Sequence, residues 1–288
     1  MEFISHGMNI YYESIGSGLP IIMIHGWGPD HRMLKGCMEQ LLTGYDGIFR
    51  RIYFDLPGMG KTKGNEWISG TDRMLELVID FIEGVIPNQP FLLVGKSYGG
   101  YLARGIVKRK QHLVKGLLLI CPLAKHETQY KNAPVFCVLE KDDSLRENMS
   151  DEERSYFESI TVIQIKKVWM RFKEEILPGL RIADNTFLDN NLGKQVPYTF
   201  DVDHLEHPLD KPVLVIMGKQ DSCTGYSDSW DFLKNYPRAS FVVLDNAGHN
   251  MEIEQPELFN CLTKEWLERV KYSEKKVTSK TTVIGWET

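Results

Sequence analysis

The sequence predicts an α/β fold: a parallel sheet with helices on both faces, interrupted once by an inserted helical segment. Three observations carry this. Short, continuous apolar runs recur along the chain, as strands buried on both faces require. Segments with helical spacing lie between most of them. One stretch of roughly 80 residues breaks the alternation and is too long for an ordinary loop.

In chain order, Glu2 to Ile4 and Asn9 to Ser14 read as a hairpin around Gly7. The buried-strand runs are Pro20 to Ile24, Ile52 to Phe54, Phe91 to Val94, Leu117 to Ile120, Val213 to Met217 and Phe241 to Leu244. The helical segments are Met33 to Leu42, Asp72 to Ile86, Tyr98 to Lys108, Ser227 to Asn235 and Glu257 to Val270. Between Pro122 and about Leu205 charged residues alternate with aromatics (Tyr156, Phe157, Trp169, Phe172, Phe187) and no strong apolar strand is seen. Asp151 to Leu177 reads there as one or two amphipathic helices ended by Pro178-Gly179. The expected organisation is a core of residues 1–122 and 206–272, a helical insertion over 123–205 and a polar, partly disordered tail over 273–288.

Composition narrows the class. The 288 residues are 42% hydrophobic and 25% charged, as in ordinary globular domains, which excludes a disordered or fibrous chain. A net charge of −5, from 34 basic against 39 acidic residues, argues against a nucleic-acid binder. The longest apolar run, around Leu117 to Leu123, contains a proline and is far short of a membrane span. No secretory signal opens the chain. Five scattered cysteines without a CxxC favour reduced thiols over a disulfide framework or zinc site, so a cytoplasmic protein is expected.

The sharpest local signal is Gly95-Lys96-Ser97-Tyr98-Gly99-Gly100, directly after one strand and before a helix. A serine pushed onto such a turn needs glycine two residues before and two after, because side chains there collide. Gly95-Lys96-Ser97 and Gly60-Lys61-Thr62 also end like a phosphate-binding loop. The glycine which that loop needs five residues upstream is replaced by Pro90 and Asp55, so the nucleotide-hydrolase reading fails. A serine nucleophile needs a base, and the base an orienting acid. His249 follows the strand Phe241 to Leu244, and Asp221 follows the strand Val213 to Met217. Ser97, Asp221 and His249 thus come to one edge of the sheet, where open parallel sheets place their sites. His25-Gly26-Trp27-Gly28 follows the strand ending at Ile24; the backbone N–H groups of Trp27 and Tyr98 are the candidate oxyanion donors. Trp27, Trp169 and Phe172 are candidate pocket residues. His204-Leu205-Glu206-His207 lacks helical ligand spacing and reads as surface linker, and Glu140-Lys141-Asp142-Asp143 as a solvated turn.

On these residues the chain resembles the α/β-hydrolase superfamily over nearly its whole length. The matching pieces are His25-Gly26, Asp55-Leu56-Pro57-Gly58-Met59-Gly60, Gly95 to Gly100, Gly218-Lys219-Gln220-Asp221, Gly248-His249 and the lead into the last helix, Glu252 to Glu257. The resemblance implies an eight-stranded, mostly parallel sheet, a helical cap after the sixth strand, and acyl-enzyme hydrolysis with neither cofactor nor metal. A serine rather than an aspartate at 97 speaks against epoxide hydrolases and haloalkane dehalogenases. The loop at 25–28 lacks the His-Gly-Gly-Pro-Gly of proline iminopeptidases. Trp27 and Asn250 stand where hydrolases of carbon–carbon bonds carry a glycine-rich loop and a tryptophan. Lys96 is expected to be buried against a carboxylate.

The expected activity is therefore a serine hydrolase of a small, fairly apolar ester, lactone or thioester. Its partner is a small-molecule acyl substrate, with no nucleic acid and no membrane span. Two alternatives stay open. One is carbon–carbon bond hydrolysis of a vinylogous diketone, which an arginine of the insertion facing the site (Arg154, Arg171 or Arg181) would favour. The other is a ligand receptor or scaffold with vestigial chemistry.

Overall fold

The computed structural model describes residues 1–124 and 132–281. A hairpin of β1 (Glu2–Ser5) and β2 (Met8–Ile15) leads into β3 (Leu19–Ile24), α1 (Arg32–Leu42), β4 (Phe49–Phe54) and α2 (Thr71–Val85). Then follow β5 (Phe91–Lys96), α3 (Tyr98–Lys110) and β6 (Val114–Ile120). The insertion comes next, with β7 (Glu140–Lys141), α4 (Asp151–Glu158), β8 (Ile163–Gln164), α5 (Lys166–Glu175), α6 (Leu177–Ile182) and α7 (Asn185–Phe187). The chain returns to the sheet with β9 (Val213–Gly218) and β10 (Ala239–Leu244) and closes on α8 (Met251–Glu254) and α9 (Pro256–Thr281).

Eight strands form one sheet in the order β1-β2-β4-β3-β5-β6-β9-β10, in which only β2 runs against its neighbours. The continuous apolar runs make sense in this sheet because both faces are covered. Along β3, Ile22 and Ile24 pack on the α2–α3 side with Phe81 and Leu102. Ile21 and Met23 pack on the opposite side with Leu34, Met38 and Trp266 of α1 and α9. Period-two alternation thus feeds two cores from one strand.

Several local expectations are corrected. Pro178-Gly179 does not end a helix: Pro178 sits in the first turn of α6, where a missing N–H costs nothing. Gly179 is there for contact, since a Cβ would come within 2.6 Å of the Asp30 backbone nitrogen. Ser227–Asn235 is wound as a 3₁₀-helix. Glu140 and Lys141, read as part of a turn, form a short parallel ladder with Ile163 and Gln164. The last helix runs beyond Val270 to Thr281, into the segment expected to be a tail; Val283, Ile284 and Trp286 lie outside the described residues. Among the described residues no helix is long and apolar enough to cross a membrane.

The hairpin is tied to the core through a buried histidine. His31 Nδ1 lies 2.7 Å from Asp55 Oδ1, its Nε2 lies 3.2 Å from Glu13 Oε1 of β2, and Asp30 is 4.0 Å away. Burial works against the imidazolium, but the bond and charge of Asp55, with Asp30 and Glu13, outweigh it and hold His31 above its ordinary value of 6.5. A raised histidine stabilises the fold fully below its unfolded value, and the contribution is lost as pH rises through the folded value. The midpoint of urea unfolding should therefore fall as pH rises above the ordinary histidine value of 6.5. His31→Gln should flatten that slope; an unchanged slope would assign it to other groups.

Candidate active site

Ser97 sits between β5 and α3 with φ 52° and ψ −118°, a strained conformation for a non-glycine residue. The flanking glycines permit it. A Cβ at Gly95 would come within 2.5 Å of the Gly99 carbonyl oxygen, and one at Gly99 within 2.1 Å of the Ile24 carbonyl oxygen. The turn is held by the Ser97 N–H, which donates to Ile120 O of β6, and by Leu123 N–H donating back to Ser97 O.

The loop after β3 lies against this turn. A Cβ at Gly26 would meet Ser97 Cβ at 3.3 Å, so the loop passes in contact with the serine. His25, fully buried, fixes that loop. Its Nε2 accepts from Leu56 N–H at 3.0 Å, and its Nδ1 is 2.8 Å from Gly26 O, which sets it as the neutral tautomer protonated on Nδ1. Burial pushes its basicity down in agreement. Trp27 stacks edge-to-face on Tyr98 at 5.4 Å, joining the loop to the start of α3. Tyr98 N–H, in the first helical turn, has no preceding turn to bond.

His249 Nδ1 is 2.9 Å from Asp221 Oδ2. Asp221 is fully buried and also accepts from Thr224 Oγ1 at 2.6 Å and from the N–H groups of Cys223 and Thr224. Burial alone would raise its carboxyl, but His249 and these donors outweigh burial and hold it well below the usual carboxylate range. The strand end carrying Asp221 and the loop carrying His249 are in contact: a Cβ at Gly218 would fall 2.2 Å from Gly248 O.

Two buried carboxylates of α8 grip the histidine loop from behind. Glu252 Oε2 accepts from Lys96 Nζ at 2.6 Å, and the same ammonium donates to His249 O at 2.7 Å. Burial opposes the charge on Lys96, but Glu252 outweighs it and holds the ammonium above the ordinary lysine value. Lys96, the residue before Ser97, is thus bonded to the backbone of His249. Glu254 accepts from Gly248 N–H at 2.6 Å and from Val162 N–H of the insertion at 2.7 Å. Burial pushes its carboxyl up to about 7 against these donors. Sequence reasoning found the partner expected for Lys96 only as a type; the signal for Glu252 and Glu254 was two acids in one apolar turn, Met251-Glu252-Ile253-Glu254.

Ser97 and His249 open onto one cavity of about 210 Å³. Its walls combine core residues Trp27, Pro29 and Met33 with Ile160, Phe172, Ile176 and Leu180 of the insertion, besides Cys223 and Asn250. Trp27 and Phe172, two of the candidate pocket residues, line this cavity. Trp169 does not: it packs on Phe157 at 5.2 Å inside the insertion's own core and is not in the wall. The insertion's arginines are engaged elsewhere. Arg171 bonds Glu175 and Glu252 O, Arg154 pairs with Asp151, and Arg181 pairs with Glu152 and Glu153. Among the described residues, two groups of ligating atoms are close enough to share an ion: Cys121, Asp221 and His249, and Asp30, His31 and Asp55. In each, histidine and carboxylate are bonded to one another. His204 and His207 are in neither group.

The chain belongs to the alpha/beta hydrolase family, whose model matches residues 21–260. It is similar to the pimeloyl-[acyl-carrier protein] methyl ester esterase of Legionella pneumophila, with 24% identity over 263 residues covering 90% of this chain and 100% of that protein. It is also similar to the 2-hydroxy-6-oxo-6-(2'-aminophenyl)hexa-2,4-dienoic acid hydrolase of Metapseudomonas resinovorans, 23% identical over 278 residues, 91% of this chain and 89% of that one. Among solved structures, an alpha/beta superfamily hydrolase from Oenococcus oeni PSU-1 superposes with a TM-score of 0.84 at 30% identity, covering 94% of this chain and 99% of that one. Family and relatives together make the chain a hydrolase.

Proposed function

We propose that this hydrolase cleaves small, uncharged acyl esters, lactones or thioesters through an acyl-enzyme on Ser97. The observation that carries this is a single small cavity that holds both the strained serine and a histidine bonded to a buried, strongly acidic aspartate. Ser97 Oγ attacks the carbonyl carbon while His249 takes its proton, and Asp221 holds the ring and stabilises the imidazolium. The N–H groups of Trp27 and Tyr98 meet the oxyanion. The tetrahedral adduct collapses, His249 gives the proton to the leaving oxygen or sulfur, and water, deprotonated by His249, releases the acid.

The wall favours an uncharged acyl group. Among the described residues that line it, Lys96 is the one lysine, arginine or acid, and its ammonium is committed to Glu252 and His249 O. The carbon–carbon reading calls for an arginine facing the site, and the three candidates are paired elsewhere. Ile160, Phe172, Ile176 and Leu180 of the insertion act here as a lid over the serine. The five scattered cysteines, with no CxxC among them, fit a reducing, cytoplasmic setting.

Size sets the test. At roughly 30 Å³ per small group, the volume one water takes in the liquid, the cavity holds on the order of seven heavy atoms. Across p-nitrophenyl esters, kcat/KM should peak at short acyl chains, about four to six carbons, and fall steeply beyond. Leu180→Ala should move the peak to longer chains. A wild-type optimum among long-chain esters would overturn this reading.

A further inference from the structure

Glu254 joins two parts of the molecule that the chemistry above treats separately. Its Oε2 accepts from the N–H of Gly248, the residue before the base, at 2.6 Å, and its Oε1 accepts from Val162 N–H of the insertion at 2.7 Å. The two segments also touch: a Cβ at Gly248 would fall 2.9 Å from Val162 Cγ1. On the insertion side the Val162 carbonyl accepts from the N–H groups of Leu139 and Glu140, so this peptide is tied to the segment entering β7. Ile160, two residues earlier, lines the cavity with Ser97 and His249. One carboxylate thus links the wall over the serine to the loop of the base. Glu254 itself is buried and lies outside that wall.

A carboxylate serves both ends because each oxygen can take one N–H, and a charged acceptor makes short, strong bonds. A carboxamide has a single acceptor oxygen, so one of the two N–H groups loses its partner; a neutral acid is weakened in the same way. We propose that Glu254 is a positioning residue: its carboxylate ties the His249 loop to the insertion, so that base and lid are held in place together. It acts through Gly248 and touches none of the reacting atoms. This rests on the serine-hydrolase reading above.

The tie responds to pH. Burial pushes the Glu254 carboxyl up to about 7 against the N–H groups that it accepts from, and Glu252 on the same helix raises it further. The other charged groups nearby are turned elsewhere. Lys96 of β5 is spent on Glu252 and His249 O, Arg171 of α5 on Glu175 and Glu252 O, and His249 on Asp221. Lys167 of α5 pairs with Glu257, and Glu140 of β7 is exposed. Above about 7 the carboxyl is ionised and the tie is whole; below it the group is neutral and one end is weakened.

The test compares the full-length wild type with Glu254→Gln on p-nitrophenyl butyrate across pH. At about pH 8.5 the variant's kcat should be lower by about tenfold or more, because a small displacement of the base is costly in rate. KM should stay within about twofold, since Glu254 is outside the cavity wall. At about pH 5.5 the wild type carries the neutral acid as well, and the two kcat values should converge to within about threefold. A role in packing alone would lower the urea midpoint and leave kcat unchanged, or reduce it equally at both pH values; either outcome overturns the assignment. If the glutamine variant does not fold, the wild-type profile carries the test. Below about pH 7 its log(kcat/KM) should fall more steeply than protonation of His249 alone allows, and a one-proton limb overturns the assignment. Turnover of the ester by the wild type tests the hydrolase reading separately; no turnover would overturn that reading and this assignment with it.

Discussion

Ser97→Ala and His249→Ala should each lower kcat for a short-chain ester on the order of 10⁴-fold or more, and the double variant should lose little beyond either single one. The non-additivity follows from the roles. Without the serine there is nothing for the histidine to deprotonate, and without the histidine the hydroxyl stays protonated and a poor nucleophile. The fold should survive both changes. Ser97→Ala removes one hydroxyl while the turn keeps its backbone bonds to Ile120 and Leu123. Parallel steady-state kinetics and denaturation curves check this. Equal losses in the two singles that multiplied in the double would mean two independent contributions rather than one nucleophile and its base.

The second large effect is on stability. Lys96→Met leaves Glu252 as a buried carboxylate without its cation, and that carboxylate already has one oxygen, Oε1, unbonded. Removing one partner of a buried pair costs about 3–5 kcal/mol, whereas replacing both with apolar groups of similar size is often neutral. Lys96→Met should therefore be strongly destabilised in urea, and adding Glu252→Leu should restore most of the loss. The restored double variant should still turn over more slowly, because the Lys96 ammonium that held His249 O at 2.7 Å is gone. Full activity in a stable double variant would reduce Lys96 to a packing role.

Much of the core was legible because its strands are buried on both faces. Phe91 to Val94 and Val213 to Met217 have no polar position to confuse the pattern, and their ends carry Ser97 and Asp221. The serine turn could be read because glycine is the only residue that fits at 95 and 99. The insertion was harder. Trp169 and Phe172 are three apart on one face of α5, and both are buried, so periodicity cannot tell which meets the cavity and which the insertion's own core. Pro178 looked like a terminator because proline carries the same local meaning just after one helix and just inside the next. Glu252 and Glu254 were obscured by their chemistry: acids at the head of a helix ordinarily read as solvated, and only the tertiary approach of Lys96, Gly248 and Val162 makes them buried acceptors.

The central claim is that Ser97 is an activated nucleophile served by His249. Labelling with a small fluorophosphonate, read by intact mass and then by peptide mapping, tests it most directly. The expected result is a single adduct on Ser97 in the wild-type protein, and no adduct over the same time in folded His249→Ala. Folded wild-type protein that takes no label, or labels equally well without His249, would contradict it.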